Sequence, residues 1–203
     1  MELLVILLIV AAVAFYALKG RRAVVSIAHL PERFVVFDLE TTGLDATKHE
    51  IIEIAGIRVN RDSTNHDTIQ ALVKPLRSVP KNIVELTGIT QEMLDREGDD
   101  LQEALQAFAL FVGNLRIVSF NAEFDMAFLN AAATKCGMKP FDNQVSCALK
   151  MARRAWPDRK SYRLADIAKD GNLGSKNKHR ALADCQRALT VYGAAASILK
   201  SVA

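Results

Sequence analysis

Two carboxylates separated by one residue end an apolar stretch of this sequence. Asp38 and Glu40 lie within FVVFDLETTGLD, at 34–45, and the β-branched and aromatic residues before them are typical of a buried strand. Because side chains alternate between the two faces of a strand, both carboxylates point the same way. They also stand at the carboxyl end of the predicted strand, where open α/β sheets bind ligands. The pair predicts a functional site; a turn cap or a solvated edge is the ordinary alternative.

Three further side chains could join this pair. Asp125, within NAEFD, falls on the first turn of a predicted helix, a position that the helix dipole also favours for an acid. His179 and Asp184, within HRALAD, are five residues apart, about 140° around a helix, and so cannot share one face. We therefore expect His179 in a loop and Asp184 on the helix that follows. Each residue alone has an ordinary surface interpretation, but a sheet could bring all of them to one edge.

The elements that must position these residues alternate between strands and helices. Strands are predicted at 34–39, 51–59, 68–73 and 116–120. Helices are predicted at 81–88, 99–112 and 121–136, and most of the remaining chain is also helical. Strands that come early and helices that come later indicate an α/β domain with a mixed sheet, whose first two connections are hairpins.

Composition narrows the class of protein. The 203 residues suffice for one ordinary domain, and half of them are apolar, as in a folded protein. The net charge of +3 is too small to demand a polyanionic partner. Cys136, Cys147 and Cys185 show no Cys-x-x-Cys spacing, which argues against a disulfide framework, a zinc ribbon or a redox motif. A reducing compartment fits this pattern best.

The amino terminus carries a separate signal. Residues 3–18 contain no charge, and as a helix they would span about 24 Å, slightly less than the hydrocarbon thickness of about 30 Å. We predict a transmembrane anchor at 1–22, a connector at 23–33 and a folded domain at 34–203. A cleaved signal peptide and a buried helix are the alternatives. The cations that follow the apolar run place the domain on the cytoplasmic side of a single-pass membrane protein: Lys19, Arg21 and Arg22.

The motifs in their order resemble those of a known family. FDLETTGL, NAEFD and HRALAD are similar to the three motifs of the DEDDh 3′ to 5′ exonucleases, which include the proofreading epsilon subunit of bacterial DNA polymerase III, and LVKP and LTGIT also resemble family signatures. The resemblance covers about residues 34–193 and implies an RNase H-like α/β fold, a mixed five-stranded sheet flanked by helices. Phe120 departs from the pattern, because epsilon-type relatives often carry histidine there. The N-terminal hydrophobic helix is not part of it.

The resemblance implies a role for each residue of the set. Asp38 would bridge two divalent ions, Glu40 and Asp184 would hold the ion on the side of the attacking water, and Asp125 would help to hold the second. His179 would take the proton of that water. Carboxylates without a soft ligand suit Mg²⁺ or Mn²⁺, and two such ions about 3.5 to 4 Å apart would clamp a phosphodiester.

Neighbouring residues are predicted to contact the substrate. The resemblance suggests this role for six residues near the acids: Thr41, Thr42, Gly43, Leu44, Asn121 and Phe124. An ordinary turn, a helix cap and a core aromatic are their alternative interpretations. Residues 150–180 carry ten Lys or Arg against three Asp, which predicts a surface that follows phosphates; a solvated helical face is the alternative.

The resulting hypothesis is a membrane-tethered, metal-dependent 3′ to 5′ exonuclease that acts on single-stranded ends and releases nucleoside 5′-monophosphates. DNA substrates of the proofreading or repair type are favoured, and trimming of RNA or short oligonucleotides is the alternative. A hypothesis of another class is a tethered nucleic-acid-binding module without catalysis, which would be expected to lack one of the five residues. Further expectations are a homodimer, a lipid contact through residues 3–18, and replication or repair partners.

Overall fold

The computed structural model describes residues 30–63, 65–170 and 179–201, which contain five strands and seven helices. The strands are β1 (Arg33–Thr41), β2 (Ile51–Asn60), β3 (Asp67–Leu72), β4 (Arg116–Ser119) and β5 (Val145–Cys147). The helices are α1 (Lys81–Thr87), α2 (Gln91–Glu97), α3 (Leu101–Val112), α4 (Ala122–Lys135), α5 (Ala148–Ala155), α6 (Leu164–Asp170) and α7 (Ala181–Ser201).

The five strands form one mixed sheet in the order β3-β2-β1-β4-β5. β1 pairs antiparallel with β2, and β2 pairs antiparallel with β3, so the first two connections are hairpins as expected. β4 and β5 extend the sheet in parallel with β1, through crossovers that contain helices. The prediction of a mixed five-stranded sheet flanked by helices is confirmed. β5 has only three residues, too few for a hydrophobic pattern to mark it.

Side-chain alternation along β1 decides what each face of the sheet packs against. Phe34 and Val36 contribute to a core with α5, α6 and α7, whereas Val35, Phe37 and Leu39 contribute to a core with α3 and α4. Asp38 and Glu40 lie on the same face of β1 as Phe34 and Val36. The strand therefore directs both carboxylates to the face that α7 covers.

The predicted amino-terminal anchor requires a correction. The segments 1–22 and 3–18, on which the anchor and the lipid contact were predicted, lie outside the described residues. Within the parts of the chain that are described, none of the helices combines the length and the apolar character needed to cross a bilayer. The prediction of a single-pass membrane protein with a cytoplasmic domain is therefore overturned and is not carried further. The division of the chain at residues 22 and 33 stays a prediction.

Candidate active site

The first pair of acids lies at the end of the central strand. Asp38 and Glu40 occupy the carboxyl-terminal half of β1, which β2 and β4 flank on either side. Glu40 is 8% exposed, and Asp38 is partly buried. The pairing with β2 changes register between Glu40 and Thr41, and Thr41 is the last residue of the strand. The site therefore begins where the central strand ends.

Asp125 approaches from the neighbouring strand. It lies in the first turn of α4, directly after β4, and is 3% exposed. The Ser119 hydroxyl donates a hydrogen bond to its Oδ2, and the backbone N–H of Leu39 also donates to its carboxylate. Burial raises the pKa of Asp125 to about 7, although these hydrogen bonds act in the opposite direction. The bond from Leu39 connects this carboxylate directly to β1.

The last motif supplies a loop residue and a helix residue, as its spacing indicated. His179 precedes α7, and its backbone N–H donates to the carbonyl oxygen of Leu86 at 3.2 Å. Asp184 is 5% exposed in the first turn of α7. Nδ1 of His179 lies 3.3 Å from Oδ2 of Asp184, and Nη1 of Arg187 donates to Oδ1 of the same carboxylate at 2.5 Å. Asp184 is thus held from both sides while His179 remains half-exposed.

These side chains meet in one place. One ligand atom from each of Glu40, His179 and Asp184 lies within 4.8 Å of the other two. Burial raises the pKa of Asp38 well above its ordinary value, and the charges of Asp125 and Asp184 raise it further. Burial, followed by the charge of Asp184, raises the pKa of Glu40 to about 8. The acids oppose one another's ionisation, as expected of a group that binds a cation.

The donor atoms indicate which cations fit. Oxygen atoms of carboxylates with one imidazole suit hard divalent ions such as Mg²⁺ and Mn²⁺. Cys185 follows Asp184 in the chain, but burial raises the pKa of its thiol well above the ordinary value, and its Sγ donates to the carbonyl oxygen of Ala55 at 3.5 Å. The thiol therefore stays protonated and bonded elsewhere, which removes it as a soft ligand.

A fifth acid, which the sequence analysis missed, holds the last motif in place. Glu53 on β2 pairs across the sheet with Glu40 and is completely buried. Its carboxylate accepts from Nε and Nη2 of Arg180, with a shortest distance of 2.7 Å, and from the backbone N–H of Ala181 at 2.9 Å. Nε2 of Gln70 on β3 also donates a hydrogen bond to the Glu53 carboxylate, at 2.8 Å. The one sequence signal was a single acid within the apolar strand IIEIAGIRV.

The predicted contacts in the turn after β1 serve the turn itself. The hydroxyl of Thr41 donates to the carbonyl oxygen of Gly43 at 2.7 Å, and the hydroxyl of Thr42 accepts from the backbone N–H of Glu50 at 2.9 Å. Both threonines are buried. A Cβ at Gly43 would lie 2.5 Å from ring atoms of His49. Glycine is therefore required here by the close approach of an imidazole, and substrate contact by these three residues stays a prediction.

The other predicted contacts share a cleft. Leu44, Asn121 and Phe124 line an open space of about 310 Å³, together with Phe128. The Leu44 side chain is 86% exposed, and the rings of Phe124 and Phe128 pack with their centroids 4.9 Å apart. Asn121 begins α4 without a side-chain capping bond. An exposed leucine and an aromatic ring that line the same space suit the binding of a flat ligand.

A comparison with known families decides the class of this site. The family model described as Exonuclease (RNase_T) matches residues 35–192. The chain belongs to this exonuclease family. The order of its four acids and its histidine makes it an exonuclease domain of the DEDDh type, and exonucleases of this kind use divalent metals.

Relatives and solved structures agree with this assignment. The exonuclease domain is 36% identical to the DNA polymerase III subunit epsilon of Aquifex aeolicus over 78% of each chain. It is also 36% identical to the PolC-type DNA polymerase III of Halalkalibacterium halodurans over 78% of this chain, but it spans only 11% of that polymerase's length. The fold resembles that of exonuclease I, with a TM-score of 0.70 and 21% identity over 84% of this chain and 41% of the other. E. coli exonuclease I in complex with a dT13 oligonucleotide gives a TM-score of 0.67, with 21% identity over 84% of this chain and 40% of the other.

Proposed function

We propose that this exonuclease hydrolyses single-stranded DNA from its 3′ end, in a proofreading or repair role, and releases nucleoside 5′-monophosphates. The observation that carries the proposal is the convergence of Glu40, His179 and Asp184 within 4.8 Å, beside the partly buried Asp38. The similarity to the epsilon subunit supports DNA as the substrate. Exonuclease I, which shares the fold, forms a complex with an oligodeoxynucleotide.

The four acids fit a pair of divalent cations, Mg²⁺ or Mn²⁺. Asp38, Glu40, Asp125 and Asp184 would hold the ions. Glu40 and Asp184 offer oxygens within 4.8 Å of each other. Burial, and for Asp38 and Glu40 also neighbouring charges, disfavour the ionised forms of Asp38, Glu40 and Asp125 without a cation. When bound, two such ions stabilise the charge that develops on the attacked phosphodiester and orient the attacking and leaving oxygens.

His179 is the proposed general base. Its Nδ1 faces the carboxylate of Asp184, which favours the tautomer with the proton on Nδ1 and leaves Nε2 to accept a proton from water. The ring is half-exposed, so solvent and substrate can reach it. The backbone bond from His179 to Leu86 fixes the loop against α1 and limits the positions that the imidazole can take.

The cleft beside the acids is the proposed site of the terminal nucleotide. Leu44 and Phe124 would contact the two faces of the base, and Asn121 would donate to its sugar or phosphate. Stacking on an aromatic ring tolerates every base, which matches an enzyme that removes nucleotides irrespective of sequence. Phe124, which lines the cleft, directly precedes Asp125 in the chain.

The test uses the full chain and substrates labelled at the 5′ end. Single-stranded DNA, duplex DNA and RNA are incubated with Mg²⁺, with Mn²⁺ or with chelator, and the products are separated by length. We expect a ladder that shortens from the 3′ end on single-stranded DNA, with metal only, and its loss in Asp38→Ala. Asp142→Asn, at an exposed position, serves as the matched control. Release of the label in the first cleavage, a clear preference for RNA, or wild-type turnover by Asp38→Ala would overturn the proposal.

A further inference from the structure

We infer that an exposed cationic surface on α5, α6 and the connection between them binds the phosphates of the substrate strand upstream of its 3′ end. This basic face consists of six residues: Lys150, Arg153, Arg154, Lys160, Arg163 and Lys169. The inference rests on the proposed function, since it extends the path of the strand beyond the cleft that holds the terminal nucleotide. The proposed partner is the single strand itself, a polyanion whose phosphates contact several cations of the basic face at once.

The basic face brings together an unusual number of cations that have no acid partner among the described residues. All six side chains are exposed, and none of them forms an ion pair with a carboxylate in the described parts of the chain. Cations elsewhere are commonly paired, as Lys48 is with Asp45 and Arg96 is with Glu97. A surface of unpaired like charges is unfavourable by itself and favours an anionic partner.

None of the three acids of this region forms an ion pair with the face, and Asp158 forms no ion pair with any described residue. Asp170 pairs with Arg159 at 2.7 Å, and Asp166 accepts from the hydroxyl of Ser161 at 2.5 Å. Both carboxylates are therefore engaged inside the α5–α6 connection. Arg153 lies 5.8 Å from the centroid of the Tyr162 ring, which leaves its guanidinium N–H groups available for phosphate. The charge imbalance in the sequence thus corresponds to a surface whose cations are unpaired.

Local structure connects the basic face to the active site. β5 pairs in parallel with β4, so α5 starts at the same edge of the sheet at which β1 presents its acids. The backbone N–H of Leu149 donates to the carbonyl oxygen of Phe120 at 2.9 Å. Phe120 directly precedes Asn121, which lines the terminal-nucleotide cleft. Lys150 therefore follows a residue that is bonded to the rim of the site, and a strand that leaves the cleft can continue onto α5.

The test assays two triple variants of the protein, each on substrate strands of two lengths. Lys150→Ala/Arg153→Ala/Arg154→Ala removes half of the basic face. The control, Arg33→Ala/Lys139→Ala/Lys200→Ala, removes three exposed cations at the start of β1, after the end of α4 and in the last turn of α7, at the opposite edge of the sheet. Both are made in the full chain and assayed on a dinucleotide and on a 20-residue single strand, after thermal unfolding has shown that each variant is folded.

We expect the basic-face variant to raise KM for the long strand by roughly 10- to 100-fold, which is more than the control variant should raise it. Its kcat on the long strand and its hydrolysis of the dinucleotide should stay within about twofold of the wild-type values. Each phosphate contact with a single strand contributes about 0.7 to the salt slope, so the slope of log kcat/KM against log salt should flatten by about 2. The variant Lys160→Ala/Arg163→Ala/Lys169→Ala should give a similar change and covers the case in which the first variant does not fold.

The outcomes separate this inference from the proposed function. If the wild type cleaves neither substrate, the proposed function and the inference are both overturned. If the wild type cleaves both substrates, and the basic-face variants lose no more than the control at any salt concentration, the inference alone is overturned. Equal losses on the dinucleotide and on the long strand would also contradict it, because they would place these cations in catalysis or folding.

Discussion

Glu53 on β2 and Arg180 before α7 form an ion pair in which a completely buried carboxylate accepts from two nitrogens of one guanidinium. The same carboxylate accepts from the backbone N–H of Ala181, the first residue of α7. His179 and Asp184 lie on either side of this point of attachment. Glu53 therefore acts as a positioning residue, since it fixes the loop and the helix that present both groups to the site.

Replacing Arg180 by lysine should impair catalysis, because an ammonium group cannot reproduce the two-nitrogen contact with Glu53. We expect kcat for the single strand to fall by roughly tenfold, with KM within about twofold, since stabilisation of the transition state depends on exact placement of the groups that Arg180 anchors. Glu53→Gln should act in the same direction. The measurement is steady-state kinetics with a titration of Mg²⁺, in which half-saturation moves to higher concentration.

Arg96→Lys is the matched control for this pair. Arg96 also contacts a carboxylate, that of Glu97, but at an exposed position on α2. Its substitution should leave both kcat and the metal titration unchanged. Equal effects of the two arginine substitutions would show that the Glu53–Arg180 pair does not position the site.

Removal of the imidazole tests the proposed base. We expect His179→Ala to lower kcat by on the order of 10² to 10⁴ while the folded state persists, because the side chain is half-exposed and contributes little to the core. Single-turnover kinetics and thermal unfolding of the same sample measure both effects. His66→Ala, in the loop between β2 and β3, controls for the loss of a histidine. Wild-type turnover by His179→Ala would rule out the role.

Metal removal should make stability depend on pH in a defined direction. Burial raises the pKa of Glu40 from its ordinary 4.5 to about 8, so between these values the folded metal-free chain binds more protons than the unfolded chain. Its stability is greatest below about pH 4.5 and falls as the pH rises through about 8. In chelator, Tm should therefore decrease between pH 5 and pH 8, as scanning calorimetry can measure.

Mg²⁺ should reverse this decrease. At about 100 times its Kd it stabilises the folded state by about 2.7 kcal/mol, which corresponds to a rise in Tm of roughly 5 to 10 °C at pH 8. The rise should be smaller at pH 5, where protons compete for the carboxylates. In Glu40→Gln both the pH dependence and the metal effect should shrink. An equal rise in Tm at both pH values would contradict the assignment of Glu40 to the metal site.

The turn after β1 offers a test by a double substitution. Gly43→Ala places a Cβ within 2.5 Å of the His49 ring, so we expect a loss of roughly 1 to 3 kcal/mol in the free energy of unfolding. In the Gly43→Ala/His49→Ala protein most of this loss should disappear, because the space occupied by the ring is then open. Urea denaturation of the four proteins in the cycle measures the coupling between the two positions. A coupling near zero would show that glycine is required here for another reason.

The acids of the site could be found in the sequence because their signals are local. Asp38 and Glu40 share a face through the two-residue period of a strand, and the five-residue spacing of His179 and Asp184 separates a loop position from a helix position. Glu53 could not be found in this way. Its partner Arg180 lies 127 residues away, and strand alternation says nothing about which distant segment will cover a carboxylate. The hydrogen bonds that the hydroxyls of Thr41 and Thr42 form within the turn were likewise not visible in the sequence, and substrate contact by these residues stays a prediction.

The sequence by itself determined the order and identity of the site residues, the strand that carries the first two acids and the mixed character of the sheet. It did so because motif spacing and hydrophobic period are properties of neighbouring residues. Only the tertiary structure decided that β4 lies beside β1 and that α7 covers the face of Asp38 and Glu40. Those contacts join segments that are far apart in the chain, and the packing of the whole core selects them.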